Sequence, residues 1–201
     1  MVLGSFSMPK LGVEPIRKDA LIKATIAEIG RAGSLDVTVS QISKRAGMSS
    51  ALAHHYFGSK EDMFLAAMRH ILTLYGREVQ AELAKADSPR SRLHAILQAS
   101  FSAANFQTEM VSAWLNFWVL AQSVPQARRL LNIYYSRLRS NLLFCLRPLA
   151  GDKAADLADG LGALIDGLYL RAALGAGAEV GAQAVARAEA YLDAQLPLVK
   201  D

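Results

Sequence analysis

The 201-residue chain contains one cysteine, Cys145, and six prolines, and no apolar run approaches the roughly 18 residues that suggest a membrane span. A lone cysteine excludes an intrachain disulfide and fits a reducing compartment, so a cytoplasmic location is the expectation. With 52% hydrophobic and 20% charged residues, the composition excludes disorder and supplies a substantial core. The sequence has no catalytic triad and no Gly-rich phosphate loop, and nothing in it marks a cofactor site. The opening MVLGSFS lacks the basic region and longer apolar core of a secretory signal. Residues 1–14 therefore read as a flexible N-terminal arm or an expression remnant.

What charge there is lies unevenly. The net charge of +4 comes entirely from residues 1–60, with eight Lys/Arg against four acids. Residues 61–201 carry fourteen of each sign. A basic segment joined to a neutral remainder points to a polyanion-binding part and a second part with another task.

Hydrophobic spacing predicts helix almost throughout, with no period-two strand pattern and no repeat. Leu21, Ile22, Ala24, Ile26 and Ile29 make one face of a helix over residues 17–31, stopped by Gly33. Thr38 caps a short helix with apolar Val39, Ile42 and Ala46, and Gly47 breaks it. Ser49 or Ser50 caps another short helix through Tyr56, and a long amphipathic run starts at Lys60. Further helices are expected over residues 91–105, 108–122, 126–146, 152–174 and 183–196. The result is an all-α chain of about nine helices. The breaks are at residues 87–89, Pro125, 148–151 and the Gly-rich stretch 175–181.

Two short helices joined by a glycine turn are the signature of a helix-turn-helix. Met48 and Leu52 anchor the second helix on Ile42 and Ala46, leaving Ser49, Ser50, Ala51, His54 and His55 outward, with Tyr56 close by. Small residues let such a helix approach base edges, and serine can hydrogen-bond bases or phosphates. Lys60, in the first turn of the next helix, is placed to reach a phosphate, aided by the amides of that N-terminus.

At these residues the chain resembles the TetR family of bacterial repressors. The resemblance rests on Thr38 through Ser49 (TVSQISKRAGMS) and on His55-Tyr56-Phe57-Gly58-Ser59-Lys60-Glu61. It implies a homodimer on a palindromic, double-stranded operator, with a ligand pocket in the C-terminal helices. DNA contacts are expected from Arg17, Lys18, Thr38, Ser49, Ser50, Ala51, His54, His55, Tyr56 and Lys60. His54 departs from the pattern, standing where many relatives have a phosphate-contacting tyrosine. The division expected is a DNA-binding domain over residues 15–60 and a ligand-binding and dimerisation domain over residues 61–201.

A narrower resemblance, to choline-responsive repressors of glycine betaine synthesis within that family, spans nearly the whole chain. It rests on Met8-Pro9-Lys10-Leu11-Gly12, the HYF segment, Ala113 through Trp118 and Leu164 through Leu174. It implies repression relieved by choline, with betaine aldehyde a second possible ligand. The residues make their own case. Trp114, Phe117 and Trp118 fall at i, i+3 and i+4, one aromatic stripe. A quaternary ammonium has no N–H to donate but is attracted to aromatic faces, by about 0.5–2 kcal/mol per contact. Asp166 interrupts the apolar series Leu161, Leu164, Ile165, Leu168, with Tyr169 on the same side. A carboxylate there needs a partner, either a ligand cation or an arginine such as Arg171. The aromatic stripe alone fits core packing equally well.

Small residues in the last two long helices, among them Gly160, Gly162, Ala163 and Gly167, allow close helix approach. Either intrachain packing or the family's dimeric four-helix bundle uses them. Three other readings fit parts of the sequence: a related repressor sensing another hydrophobic cation or drug, a metal enzyme using His54 and His55, and a helical protein-binding adaptor. Adjacent histidines on a helix diverge by about 100°, which suits a shared ion poorly. A steep salt dependence of DNA binding separates a repressor from an adaptor. The expectation is no enzyme, no metal and no cofactor.

Overall fold

The computed structural model describes residues 12–174 and 181–196. Among them lie nine α-helices, one 3₁₀ turn and no strand. The expected arm falls outside the described residues up to residue 11, and so do positions 175–180 of the Gly-rich stretch.

Local capping chemistry sets most boundaries. Helix α1 (Val13–Ala32) ends where Gly33 takes φ 65° and returns its N–H to the Ile29 carbonyl. Thr38 opens α2 (Val39–Arg45) with a reciprocal capping box to Gln41. Gly47, at φ 67°, makes the turn into α3 (Ser50–Phe57), whose cap is the Ser49 hydroxyl accepting from the Leu52 amide. Ser59 caps α4 (Lys60–Leu83) in the same way, and Ser88 caps α5 (Pro89–Ser100). The chain continues as α6 (Thr108–Ser123), α7 (Pro125–Ala150), a 3₁₀ turn at Gly151–Lys153, α8 (Ala154–Ala173) and α9 (Gly181–Gln195).

Three boundaries differ from expectation by four residues or more, each for a physical reason. Helix α1 begins four residues early because exposed residues 13–16 meet nothing that opposes another turn, and Pro15 is tolerated there. Helix α7 runs through Pro148, which sits in its last turn where few backbone bonds are lost. Helix α5 stops at Ser100, so residues 101–105, expected as helix, form a compact turn. Tertiary contacts override propensity there, since Phe101 and Asn105 are both buried.

One apolar cluster runs from the helix-turn-helix into the C-terminal helices. Leu21, Ile29, Ile42 and Ala53 close the small domain, Met63 to Val79 continue the core along α4, and α5 to α9 complete it. A buried carboxylate ties α1 to α2. Glu28 is 4% exposed and accepts from Arg45 Nε at 2.5 Å and from Arg31 at 2.7 Å. The bonds from Arg31 and Arg45 hold the Glu28 pKa below the usual carboxylate value. Glu28→Ala should cost about 1–3 kcal/mol, because it removes two charge-assisted hydrogen bonds, that of Arg45 tying α1 to α2, while the half-exposed arginines return to water. The sign follows from the lowered pKa: the stabilisation is present above the unfolded value near 4.3 and disappears as pH falls through the folded one. Thermal melts of both proteins should therefore differ most at neutral pH and converge in acid.

Candidate nucleic-acid interface and effector site

The helix-turn-helix places the sequence-expected DNA residues on two levels. At the first, Ser49 caps the head of α3, Ala51 is exposed in its first turn, and Ser50 is half-buried. Ala53, fully buried, is the point on which α3 rests. The second level is structural support. The Thr38 hydroxyl is engaged in its capping box with Gln41. His54 Nδ1 lies 2.9 Å from the Gly58 carbonyl, so this side chain closes the end of α3. His55 packs its ring against Tyr56 at 5.3 Å. The two histidines thus turn to different partners, and no His/Cys/Asp/Glu group among the described residues could hold a metal ion.

Ion pairing sorts the cations that make the local charge excess. Lys18 pairs with Glu14 at 2.8 Å and lies over the Tyr56 ring, Lys23 pairs with Asp19, and Arg31 and Arg45 share Glu28. Among the described residues of this domain, the cations without a carboxylate partner are Arg17, Lys44 and Lys60. All three are exposed. Lys60 lies over the Phe64 ring, 5.6 Å from its centroid. Lys44 was not among the sequence-derived contacts; charge alone does not tell a paired lysine from an unpaired one.

The second site is aromatic. Trp114 is buried, with the Tyr134 ring at 4.9 Å and the Tyr169 ring at 6.2 Å. Tyr75 packs edge-on to Tyr134 at 5.6 Å, and the Tyr135 ring lies 5.3 Å from that of Tyr134. Asp166 sits half-buried among these rings. Burial pushes its pKa up to about 6, against the opposing effect of the Tyr135 hydroxyl. In return its charge helps burial raise the pKa values of Tyr75, Tyr134 and Tyr169. No described cation pairs with Asp166, and Arg171 is exposed elsewhere on α8. Trp118 lies beside Tyr135, and its indole N–H opposes the burial-driven rise of the Tyr135 hydroxyl pKa; the buried Nε1–H makes no close, well-aligned hydrogen bond. Of the sequence-expected residues, Trp114, Trp118, Asp166 and Tyr169 come together. Phe117 is fully buried and makes no ring pair with them. Tyr75, Tyr134 and Tyr135 join the cluster unforeseen; the one hint was the Tyr134-Tyr135 pair amid Leu and Arg in α7.

A helix-turn-helix with outward cations, carried on an all-helical C-terminal domain, defines the class: a DNA-binding transcriptional regulator, not an enzyme. Residues 21–67 match the family described as bacterial regulatory proteins, tetR family, and residues 89–197 match the BetI-type transcriptional repressor, C-terminal. The chain belongs to the TetR family of regulators and is a BetI-type transcriptional repressor. It is 51% identical over 190 residues to the HTH-type transcriptional regulator BetI of Brucella suis, covering 94% of this chain and 96% of that one. Among solved structures, a putative transcriptional regulator from Pseudomonas aeruginosa PAO1 matches at 30% identity and TM-score 0.71, covering 92% of each chain. A putative regulator from Saccharomonospora viridis, solved in complex with choline, shares the fold at TM-score 0.83 and 24% identity, covering 90% of this chain and 98% of that one. No described helix is long and apolar enough to cross a membrane.

Proposed function

We propose that this repressor binds a palindromic operator as a homodimer, through residues 15–60, and that choline relieves the binding from residues 61–201. The genes controlled are those converting choline to the osmoprotectant glycine betaine, and the protein works in the cytoplasm. The observation that carries the ligand is Asp166: a carboxylate among Trp114, Tyr134 and Tyr135 with no cation beside it. A quaternary ammonium supplies the missing charge, while the rings attract its methyl-covered surface. Choline also carries a hydroxyl, which can accept from the buried Trp118 Nε1–H, whose approach to Tyr135 falls short of a well-aligned hydrogen bond. The protein of the same fold solved with choline supports this ligand, and so does the BetI name of the close relatives.

The dimer reading rests on α8 and α9, where Ala163, Leu170, Leu174, Ala182 and Ala186 are exposed. Pairing through these helices sets two copies of α3 against successive major grooves, about 34–36 Å apart. A ligand that changes the separation lowers affinity without touching the DNA contacts. Calorimetry should show choline binding, and an equilibrium gel shift on the DNA upstream of its own gene should show operator affinity falling as choline rises. Binding of another organic cation with choline inert would reassign the effector. No change of affinity with any bound cation would end the reading.

A further inference from the structure

The turn at residues 101–107 interrupts what its sequence would continue as α5, and three elements grip it. From α8, Tyr169 donates its hydroxyl to the Ser100 carbonyl at 2.5 Å, with the Asn105 carbonyl at 3.4 Å. Its ring meets Phe106 edge-on at 5.1 Å and Phe101 at 5.8 Å. From α4, Glu78 accepts from the buried Asn105 amide at 2.6 Å, and the same amide donates to the Ala99 carbonyl. From α9, Gly181 lies so close to the Phe101 carbonyl that a Cβ would overlap it. The turn then leads directly into α6. The second residue of α6, Glu109, presses on α1: a Cβ built on Gly30 would stand 2.6 Å from Glu109 Cβ and 2.7 Å from its Cα.

These contacts join three tasks. Tyr169 belongs to the aromatic cluster, α8 and α9 bear the small-residue face, and α1 carries the Glu28 clamp that holds α2 under the recognition helix. We propose that the turn at residues 101–107 is the relay between effector site and DNA-binding domain, with Asn105 and Gly30 as its positioning residues. A displacement of Tyr169 moves Phe106 and the head of α6. With no side chain at Gly30 to absorb it, α6 passes the shift to the α1 backbone. Close-packed elements of this kind switch between discrete arrangements and do not deform gradually. The inference deepens the proposed effector control and rests on it.

The test uses the full-length protein, choline, and a duplex covering the DNA upstream of its own gene. Asn105→Ala removes the tie to Glu78 but no proposed ligand or DNA contact. It should bind choline within about twofold of wild type, while the ratio of operator Kd with and without choline drops at least about fivefold. Gly30→Ala should lower the same ratio, and exposed Ala103→Ser should leave it unchanged. A second readout needs no effector: hydrogen exchange at the end of α1 and the start of α6 should rise in Asn105→Ala. Coupling ratio and exchange both equal to wild type in a folded Asn105→Ala protein would overturn the relay. If choline leaves wild type unaffected, the effector reading fails and exchange decides: faster exchange in α1 supports the relay, unchanged exchange removes it.

Discussion

Asp166→Asn should bind choline about 10- to 100-fold more weakly than wild type while melting at a higher temperature. The opposite signs distinguish a ligand-directed carboxylate from a structural one. In the unliganded fold, burial lifts the Asp166 pKa to about 6, so the ionised form is disfavoured relative to the unfolded chain. That penalty is absent below the unfolded value near 3.9, grows as pH rises through 6, and is complete above it. Asparagine removes it. With allowance for partial exposure, the gain at pH 7.5 is on the order of 1–2 kcal/mol, or about 2–6 °C in Tm. A carboxylate held in a salt bridge would show the reverse, because its loss strands a cation. The same ionisation links binding to pH. Choline needs the carboxylate charged, so wild-type affinity should fall about tenfold per pH unit below 6, and the Asn variant should show no such slope. Calorimetry at pH 5, 6 and 7.5 with melts at each pH reads all of this. Equal affinity together with a lower Tm in the variant would place Asp166 in the scaffold.

How much of this could be read beforehand depends on whether the cause was local. Thr38, Gly47, Ser49 and Ser59 act on amides and dihedrals within a few residues, so the helix-turn-helix boundaries were legible in the residue order. Residues 101–105 were not. Phe-Ser-Ala-Ala-Asn continues a helical pattern, and what turns it is Tyr169, Glu78 and Gly181, distant in sequence. Periodicity likewise tells that a side chain points inward but not what it meets there. It placed Trp114 and Phe117 on one stripe, yet Trp114 meets Tyr134 and Tyr169 while Phe117 joins no ring pair with them. Glu28 reads as one acid among four in the basic segment; only the fold shows that two of the eight cations are spent on it.

That sorting of charge leads to the largest expected loss of DNA binding. Replacing Arg17, Lys44 and Lys60 together with alanine should weaken operator binding about a hundredfold at 0.15 M salt. Each phosphate contact contributes about 0.9 to the slope of log affinity against log salt, so three contribute about 2.7. Counterion release fades toward 1 M, roughly 0.8 log units above 0.15 M, and the product is close to two decades of affinity. Lys23→Ala is the control: its ammonium already faces Asp19 at 2.7 Å, so slope and affinity should stay at wild-type values. Lys18 falls between, since DNA would have to draw it from Glu14. Phosphate contacts position the protein without reading bases, so the triple variant should lose operator and random DNA in similar proportion. Substitution of Ala51 by a bulky residue should instead lower the preference for operator over random DNA. It fills the exposed face at the head of α3, where base edges are approached. A triple variant with an unchanged salt slope would show that the unpaired cations of this domain face away from the duplex.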